Sequence, residues 1–352
     1  MAVRVLIVLT SNDRRGAEVE GSQLAAQLAA MGVAAEVVAL RGGSADPLDV
    51  PALGARPLSP KVLRVLRRRA RDVNVVVAFG STTLPACATA LLGTRTPFVY
   101  RSIGDPAQWA GGRLHRWRTA RLFARAAHVV ALWPAGAAAI SRLYGVRAES
   151  TSCIPNARSP HEGAVDRAAA RAPFDLPLDV PVVAWVGAMS DEKRPATAVA
   201  AVAATADCWL LMAGEGTLVD EVRAACRREL PDRHRLVGVV TPLEPVWAAA
   251  DVVLLTSSTE GMPGVLIEAA LRGVPAVATD VGAVASVVDD GVTGRLVAAD
   301  ASPAQLAAAL TETVDRRAEW GRAAALHAHA FTWPEVLPHW VALLGRVGKP
   351  GR

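Results

Sequence analysis

Two glutamates, Glu260 and Glu268, are the residues of this chain best placed to do chemistry; seven residues separate them in Glu260-Gly261-Met262-Pro263-Gly264-Val265-Leu266-Ile267-Glu268. The stretch lies between two short apolar runs, residues 251–256 (DVVLLT) and 274–279 (VPAVAT), both of the type that makes a buried parallel strand, with Gly273 as helix C-cap between them. A βαβ unit is expected. In such a unit ligands enter at the carboxyl end of the strand, and a helix opening near Gly264 aims its unpaired N–H groups and positive dipole end at them. The occupant expected there is an anion, a phosphate. Phosphate repels carboxylates, so the two flanking glutamates are expected to accept hydrogen bonds from neutral hydroxyls. A phosphate set among polyhydroxy groups suggests a nucleotide sugar.

The second half also carries Val186-Gly187-Ala188-Met189-Ser190-Asp191-Glu192-Lys193-Arg194-Pro195, which follows a strand and opens a helix. Its backbone is expected at the same crevice as the glutamates, with Lys193 in reach of a diphosphate. In the first half Arg14-Arg15-Gly16-Ala17-Glu18 likewise follows a strand and opens a helix, bringing flexible backbone and positive charge to a strand end.

The run EGMPGVLIEAALRGVPAVATDVG, followed by DDGVTGRLV, resembles the donor-binding region of the family-4 glycosyltransferases, retaining enzymes of the GT-B fold. The resemblance implies two Rossmann-like doubly wound α/β domains facing a crevice, with a C-terminal helix crossing back to the first domain. It implies transfer of a sugar from a nucleotide-diphosphate donor to an acceptor hydroxyl, with no cofactor beyond that substrate. Glu268 is then expected on the ribose and Glu260 on the transferred sugar. Lys193 and the amides near Gly264, Val265 and Leu266 are expected on the phosphates, with Gly187 in the same loop. Gly238 and Val239 match a segment whose backbone lines the base pocket. Gly16 and Arg15 match a loop that approaches donor phosphate and acceptor.

The chain also departs from the family pattern. Where an arginine usually follows the glycine of the Gly187 loop stands Ala188, so Arg194 or a basic residue of the first domain is a candidate replacement for that half of the cationic clamp. Where many relatives carry a histidine near the reacting sugar, Tyr100-Arg101-Ser102-Ile103-Gly104-Asp105 has none. Asp105 is the carboxylate left for a catalytic role there, and Arg101 a candidate phosphate or acceptor contact. Ser286 stands where relatives often place a glutamate. Cys153-Ile154-Pro155-Asn156 resembles a turn into the linker, and Leu211-Met212-Ala213-Gly214-Glu215-Gly216 a turn in which glycine permits close packing. Ala188 and the absent histidine keep two alternatives open, a catalytically silent nucleotide-sugar-binding protein and a sugar-nucleotide epimerase.

These motifs need elements to hold them, and the patterning supplies them. Strand-like runs at 3–10, 35–40, 74–80, 97–103 and 128–133 alternate with helix-like segments near 18–31, 60–71, 84–92 and 113–127, the second opened by Ser59 as N-cap and Pro60. The pattern breaks over 151–175, read as the interdomain connection. A second alternation follows, with strands at 180–187, 207–214, 235–240, 251–256 and 274–279, a hairpin-like turn at Asp290-Gly291-Val292-Thr293-Gly294, and an amphipathic terminal stretch to about Leu344. The expected division is 1–165 for the acceptor side, 166–328 for donor binding and 329–352 for the returning helix.

At 352 residues the chain is long enough for two such domains. Its mean hydropathy of +0.27 reflects alanine and valine, and no apolar run approaches the roughly 18 residues of a membrane span. The apolar start reads as a first strand rather than a leader, which implies the cytoplasm. Four scattered cysteines without a CxxC argue against zinc and a disulfide framework. No Asp-x-Asp occurs and the histidines lack ligand spacing, so metal-independent transfer is expected, with the leaving diphosphate met by helix amides and Lys193. The net charge of +5 suits an anionic substrate, yet no nucleic-acid module is readable. The basic stretches at 61–71 and 113–125 are read as solvated faces in preference to peripheral membrane contacts, the apolar positions Leu114, Trp117, Leu122 and Ala126 being consumed by the core. The acceptor, whether a glycan, a lipid-linked or a small molecule, is not legible.

Overall fold

The computed structural model describes residues 3–43, 47–109, 111–160, 163 and 166–349. The chain divides into two compact units. The first comprises Met1–Ala157 and Trp333–Arg352, the second Arg158–Thr332. Both divisions lie off the 165/166 and 328/329 boundaries read from the sequence, and hydrogen bonding explains the first. The Ala157 amide donates to Glu20 Oε1 of the first unit at 2.9 Å, whereas the next amide, that of Arg158, donates to the Phe331 carbonyl of the second at 2.9 Å.

The first unit is built on β1 (Arg4–Ser11), β2 (Ala34–Arg41), β3 (Val75–Phe79), β4 (Phe98–Arg101), β5 (His128–Ala131) and β6 (Thr151–Cys153). All pair in parallel, in the order β2-β1-β3-β4-β5-β6. Side chains of a strand alternate between sheet faces. Accordingly Leu6 and Val8 enter one core with Leu66, Phe98 and Phe123, while Val5, Ile7 and Leu9 enter another with Trp333, Leu337 and Trp340 of the Trp333–Val347 helix. Burial on both faces is why these strands read as continuous apolar runs.

The second unit repeats the plan with β7 (Val182–Val186), β8 (Trp209–Ala213), β9 (His234–Leu236), β10 (Val252–Leu255), β11 (Ala276–Thr279) and β12 (Gly294–Val297), parallel in the order β12-β11-β10-β7-β8-β9. The doubly wound α/β architecture expected from the sequence is therefore present twice. Among the described residues, no helix is long and apolar enough to cross a membrane.

Several local readings are corrected. The stretch 151–175 is not all connection: its first three residues form β6, too short to carry a periodic signal. The turn before Gly294 closes no hairpin, because β12 pairs in parallel with β11. Helices at Pro134–Tyr144, Pro303–Asp315 and Arg317–Ala328 were not read from the sequence, although Ser302 and Gln305 form a capping box on the second. Of the four apolar positions expected in the core around the Arg113–Phe123 helix, Leu122 and Ala126 pack against it and Leu114 and Trp117 do not. Leu114 and Trp117 are 60% and 57% exposed, Leu122 is half-buried, and Phe123 alone is buried.

Candidate functional site

β10 ends at Leu255, and the loop after it is stitched to its neighbours residue by residue. The Thr256 hydroxyl lies 2.8 and 3.0 Å from the Lys193 and Arg194 carbonyls and accepts from Trp185 Nε1 at 3.2 Å. Thr279 Oγ1 donates to the Ser257 carbonyl at 2.6 Å, and the Ser258 amide donates to the Glu192 carbonyl at 2.7 Å. On the other side the Ala283 amide donates to the Gly261 carbonyl at 2.7 Å. Gly282 makes that approach possible: its φ is +59°, and a Cβ there would stand 2.1 Å from the Glu260 carbonyl oxygen. A buried loop can satisfy its backbone only through such partners. The result is a fixed position for Glu260.

From this loop the chain enters the helix Gly264–Leu271 behind Pro263. Glu260 lies before the first turn and Glu268 one turn inside it, as the spacing predicts. Each carboxylate meets a cation and a neutral donor. Lys193 Nζ donates to Glu260 Oε1 at 2.6 Å, and Ser257 Oγ donates to the same oxygen at 2.7 Å. Arg158 Nε donates to Glu268 Oε1 at 2.6 Å, and Trp247 Nε1 to Oε2 at 3.4 Å. The Arg158 side chain is 8% exposed and that of Glu268 22%.

The structure brings together Glu260, Lys193, Glu268 and the start of the helix, all named from the sequence. It gives Lys193 a carboxylate partner where a phosphate was expected. Arg194, the candidate for the other half of the clamp, is held by carbonyls: its Nε donates to that of Thr256 at 2.6 Å and its Nη2 lies 3.4 Å from that of Ser257. That guanidinium ties the Lys193 loop to the Glu260 loop. Gly187 lies against the next turn, where a Cβ on Gly214 would sit 1.9 Å from the Gly187 carbonyl, so the close packing expected there is found. Gly214 N in turn donates to the Gly238 carbonyl at 2.7 Å, and Val239 beside it is exposed. Val265 is half-buried, and Leu266 is packed inside.

Sequence reasoning missed Arg158, Trp247 and Ser257. Arg158 is 110 positions from Glu268, and no local pattern marks it. Its signal, visible only in retrospect, is a charged residue directly after the Ile154-Pro155-Asn156-Ala157 turn.

In the first unit, Arg15 precedes the Gly16–Ala30 helix in extended conformation, and a Cβ added at Gly16 would meet open space, so sterics do not demand a glycine there. Glu18, in the first turn, is buried, and desolvation raises its carboxyl above the usual range despite hydrogen bonding to its own and Ser11 backbone. Asp105 accepts from the Ala107 amide at 2.9 Å and so caps the short turn Pro106–Trp109. Arg101 is corrected as a contact for phosphate or acceptor. Its side chain is fully buried, donates to the Ile154 carbonyl and to Asn156 Oδ1 at 3.0 Å, and stands 5.5 Å over the Trp340 ring. Burial lowers its pKa to about 10, an effect that Glu20 partly offsets. It is an internal strut linking β4, the 154–156 turn and the C-terminal helix.

Comparison with known proteins agrees with this architecture. The profile described as Glycosyltransferase Family 4 matches residues 14–162, and that described as Glycosyl transferases group 1 matches residues 180–316. Among solved structures, HepE of Anabaena in complex with UDP-glucose is similar with a TM-score of 0.85 at 21% identity, covering 97% of this chain and 99% of that one. Sucrose-phosphate synthase of Thermosynechococcus elongatus is similar with a TM-score of 0.82 at 20% identity, covering 98% and 99%. With two doubly wound sheets and a family profile on each half, the chain belongs to the glycosyltransferases of the GT-B fold. Among relatives, the D-inositol 3-phosphate glycosyltransferase of Mycobacterium avium is 35% identical over 184 residues. That match spans 48% of this chain and 42% of the relative's length.

Proposed function

We propose that the protein transfers a sugar from a nucleotide-diphosphate donor to an acceptor hydroxyl, with retention at the anomeric carbon and without a metal ion. The observation that carries this reading is the pair of carboxylates around one helix start: Glu260 before the Gly264–Leu271 helix and Glu268 inside it, each held by a cation. The amides at Gly264 and Val265 supply N–H donors and positive potential for the donor phosphates. Glu268 accepts the ribose hydroxyls, and Glu260 those of the transferred sugar. In the reaction the bond from the anomeric carbon to the diphosphate oxygen breaks, a bond to the acceptor oxygen forms, and the proton of the acceptor hydroxyl passes to the departing diphosphate oxygen. The leaving diphosphate carries the electron pair away, and its growing charge is met by preorganised amides and by Lys193. Similar folds solved with UDP-glucose and with UDP support a nucleotide sugar as donor.

The test is to incubate the protein with a panel of nucleotide sugars and candidate acceptors, with and without EDTA, following released nucleotide and thermal stabilisation together. Release that requires acceptor and survives EDTA supports the reading. Stabilisation with no release under any acceptor would identify a silent binder, and interconversion of the donor sugar an epimerase. Activity lost in EDTA and restored by magnesium or manganese would sink the metal-free mechanism.

A further inference from the structure

We propose that Arg158 is a ligand of the donor diphosphate, its guanidinium bridging the carboxylate that holds the ribose and the helix start that holds the phosphates; this rests on the donor-binding reading above. The geometry is specific. Nε points to Glu268 at 2.6 Å, while Nη2 lies against Gly264, where a Cβ would be only 1.8 Å from it. Gly264 and Glu268 are one helical turn apart, so the planar fork spans that turn along a single face. In a nucleotide the ribose and its first phosphate are joined by one methylene. A group that touches the ribose carboxylate with one edge and the phosphate amides with the other matches that spacing.

The charge distribution points the same way. The first turn of a helix is the positive end of its dipole, an unfavourable place for a cation unless an anion shares it. Glu268 shares it here, and a phosphate would do so again. The Arg158 guanidinium lies against the helix start, and a guanidinium fork recognises phosphate bidentately where an ammonium such as that of Lys193 acts as a point charge. Gly264 is explained by the same contact. Its backbone lies outside the left-handed region, and glycine lowers helix stability. What a larger residue would lose is the room for Nη2.

Isothermal titration of the whole chain tests this with UDP, GDP and ADP and with the matching nucleosides. The wild type and the variants Arg158→Met, Arg158→Lys and Gly264→Ala are compared, after thermal melts show that each is folded. Arg158→Met should weaken the preferred diphosphate at least tenfold and its nucleoside less than threefold. Arg158→Lys should recover part of that loss. Gly264→Ala, which keeps the arginine but displaces its Nη2, should lose in the same sense, so the test survives if the methionine variant folds poorly. Equal losses for diphosphate and nucleoside would mean that Arg158 acts only by positioning Glu268, and no loss would mean no role in binding; either overturns the inference while leaving the donor site intact. A wild type that binds none of the three diphosphates would overturn the donor-binding reading itself.

Discussion

Replacing Glu268 by glutamine keeps the shape of the side chain and removes its charge, and the structure sets what should follow. Arg158 is almost fully buried, and its Nε has the Glu268 carboxylate as partner at 2.6 Å. Breaking a buried ion pair by removing one member costs about 3–5 kcal/mol, because the other charge is left without compensation. Glu268 is 22% exposed and the Trp247 contact can persist, so solvent and the neutral amide recover part of this, leaving about 1–3 kcal/mol. For a domain of this size that corresponds to a melting point lower by roughly 2–12 °C. Adding Arg158→Met removes the guanidinium that faced the lost charge. The double variant should therefore be more stable than the sum of the single losses, with a coupling of about 1–2 kcal/mol in a double-mutant cycle measured by urea unfolding. The same substitution should weaken free nucleotide about ten- to a hundredfold by calorimetry, since charged hydrogen bonds of about 1.5–3 kcal/mol to the ribose are lost. Glu260→Gln should leave that affinity near wild type and lower turnover, because its partner is the transferred sugar. Strictly additive stability losses would refute the energetic role of the ion pair, and two variants that bind nucleotide as well as wild type would refute the assignment of the carboxylates.

Three further outcomes are expected. Glu18 holds its proton to higher pH folded than unfolded, so the folded form gains relative stability below about pH 4.5 and loses it as pH rises through the raised value; Glu18→Gln should accordingly melt higher than wild type at pH 7, the gap closing by pH 4, and a lower melting point at pH 7 would contradict the desolvation argument. Gly282→Ala puts a Cβ at φ +59° and against the Glu260 carbonyl, for a loss of about 1–3 kcal/mol in chemical unfolding together with lower turnover; a stability unchanged from wild type would show that the loop yields freely. Leu114→Ala and Trp117→Ala should each change stability by no more than about 0.5 kcal/mol, whereas Phe123→Ala on the buried side of the same helix should cost about 3–5 kcal/mol; comparable losses at all three would mean that the exposed face is covered in solution.

The sequence by itself determined the class of fold and the centre of the site. Runs such as VVVAF and VVAWV announce strands buried on both faces, and a seven-residue gap between Glu260 and Glu268 across a helix start is a local relationship, complete within one βαβ unit. Gly214 was legible as a turn glycine, whereas Gly282 was not singled out. Their necessity comes from carbonyls of Gly187 and Glu260 that the chain brings back from elsewhere. Tertiary structure alone decided what each charged group would meet. Arg101 sits in a polar-looking segment, but at the end of a central strand it is enclosed and made a strut; Arg194 was spent on two carbonyls for the same kind of reason. The amphipathic pattern of residues 113–123 did not reveal that Leu114 and Trp117 face outward, because periodicity shows that a helix has faces and not which one the sheet covers. Arg158 was the least legible of all. Its partner is 110 residues away, and an ion pair across that distance has no period, cap or spacing to betray it until the chain is folded.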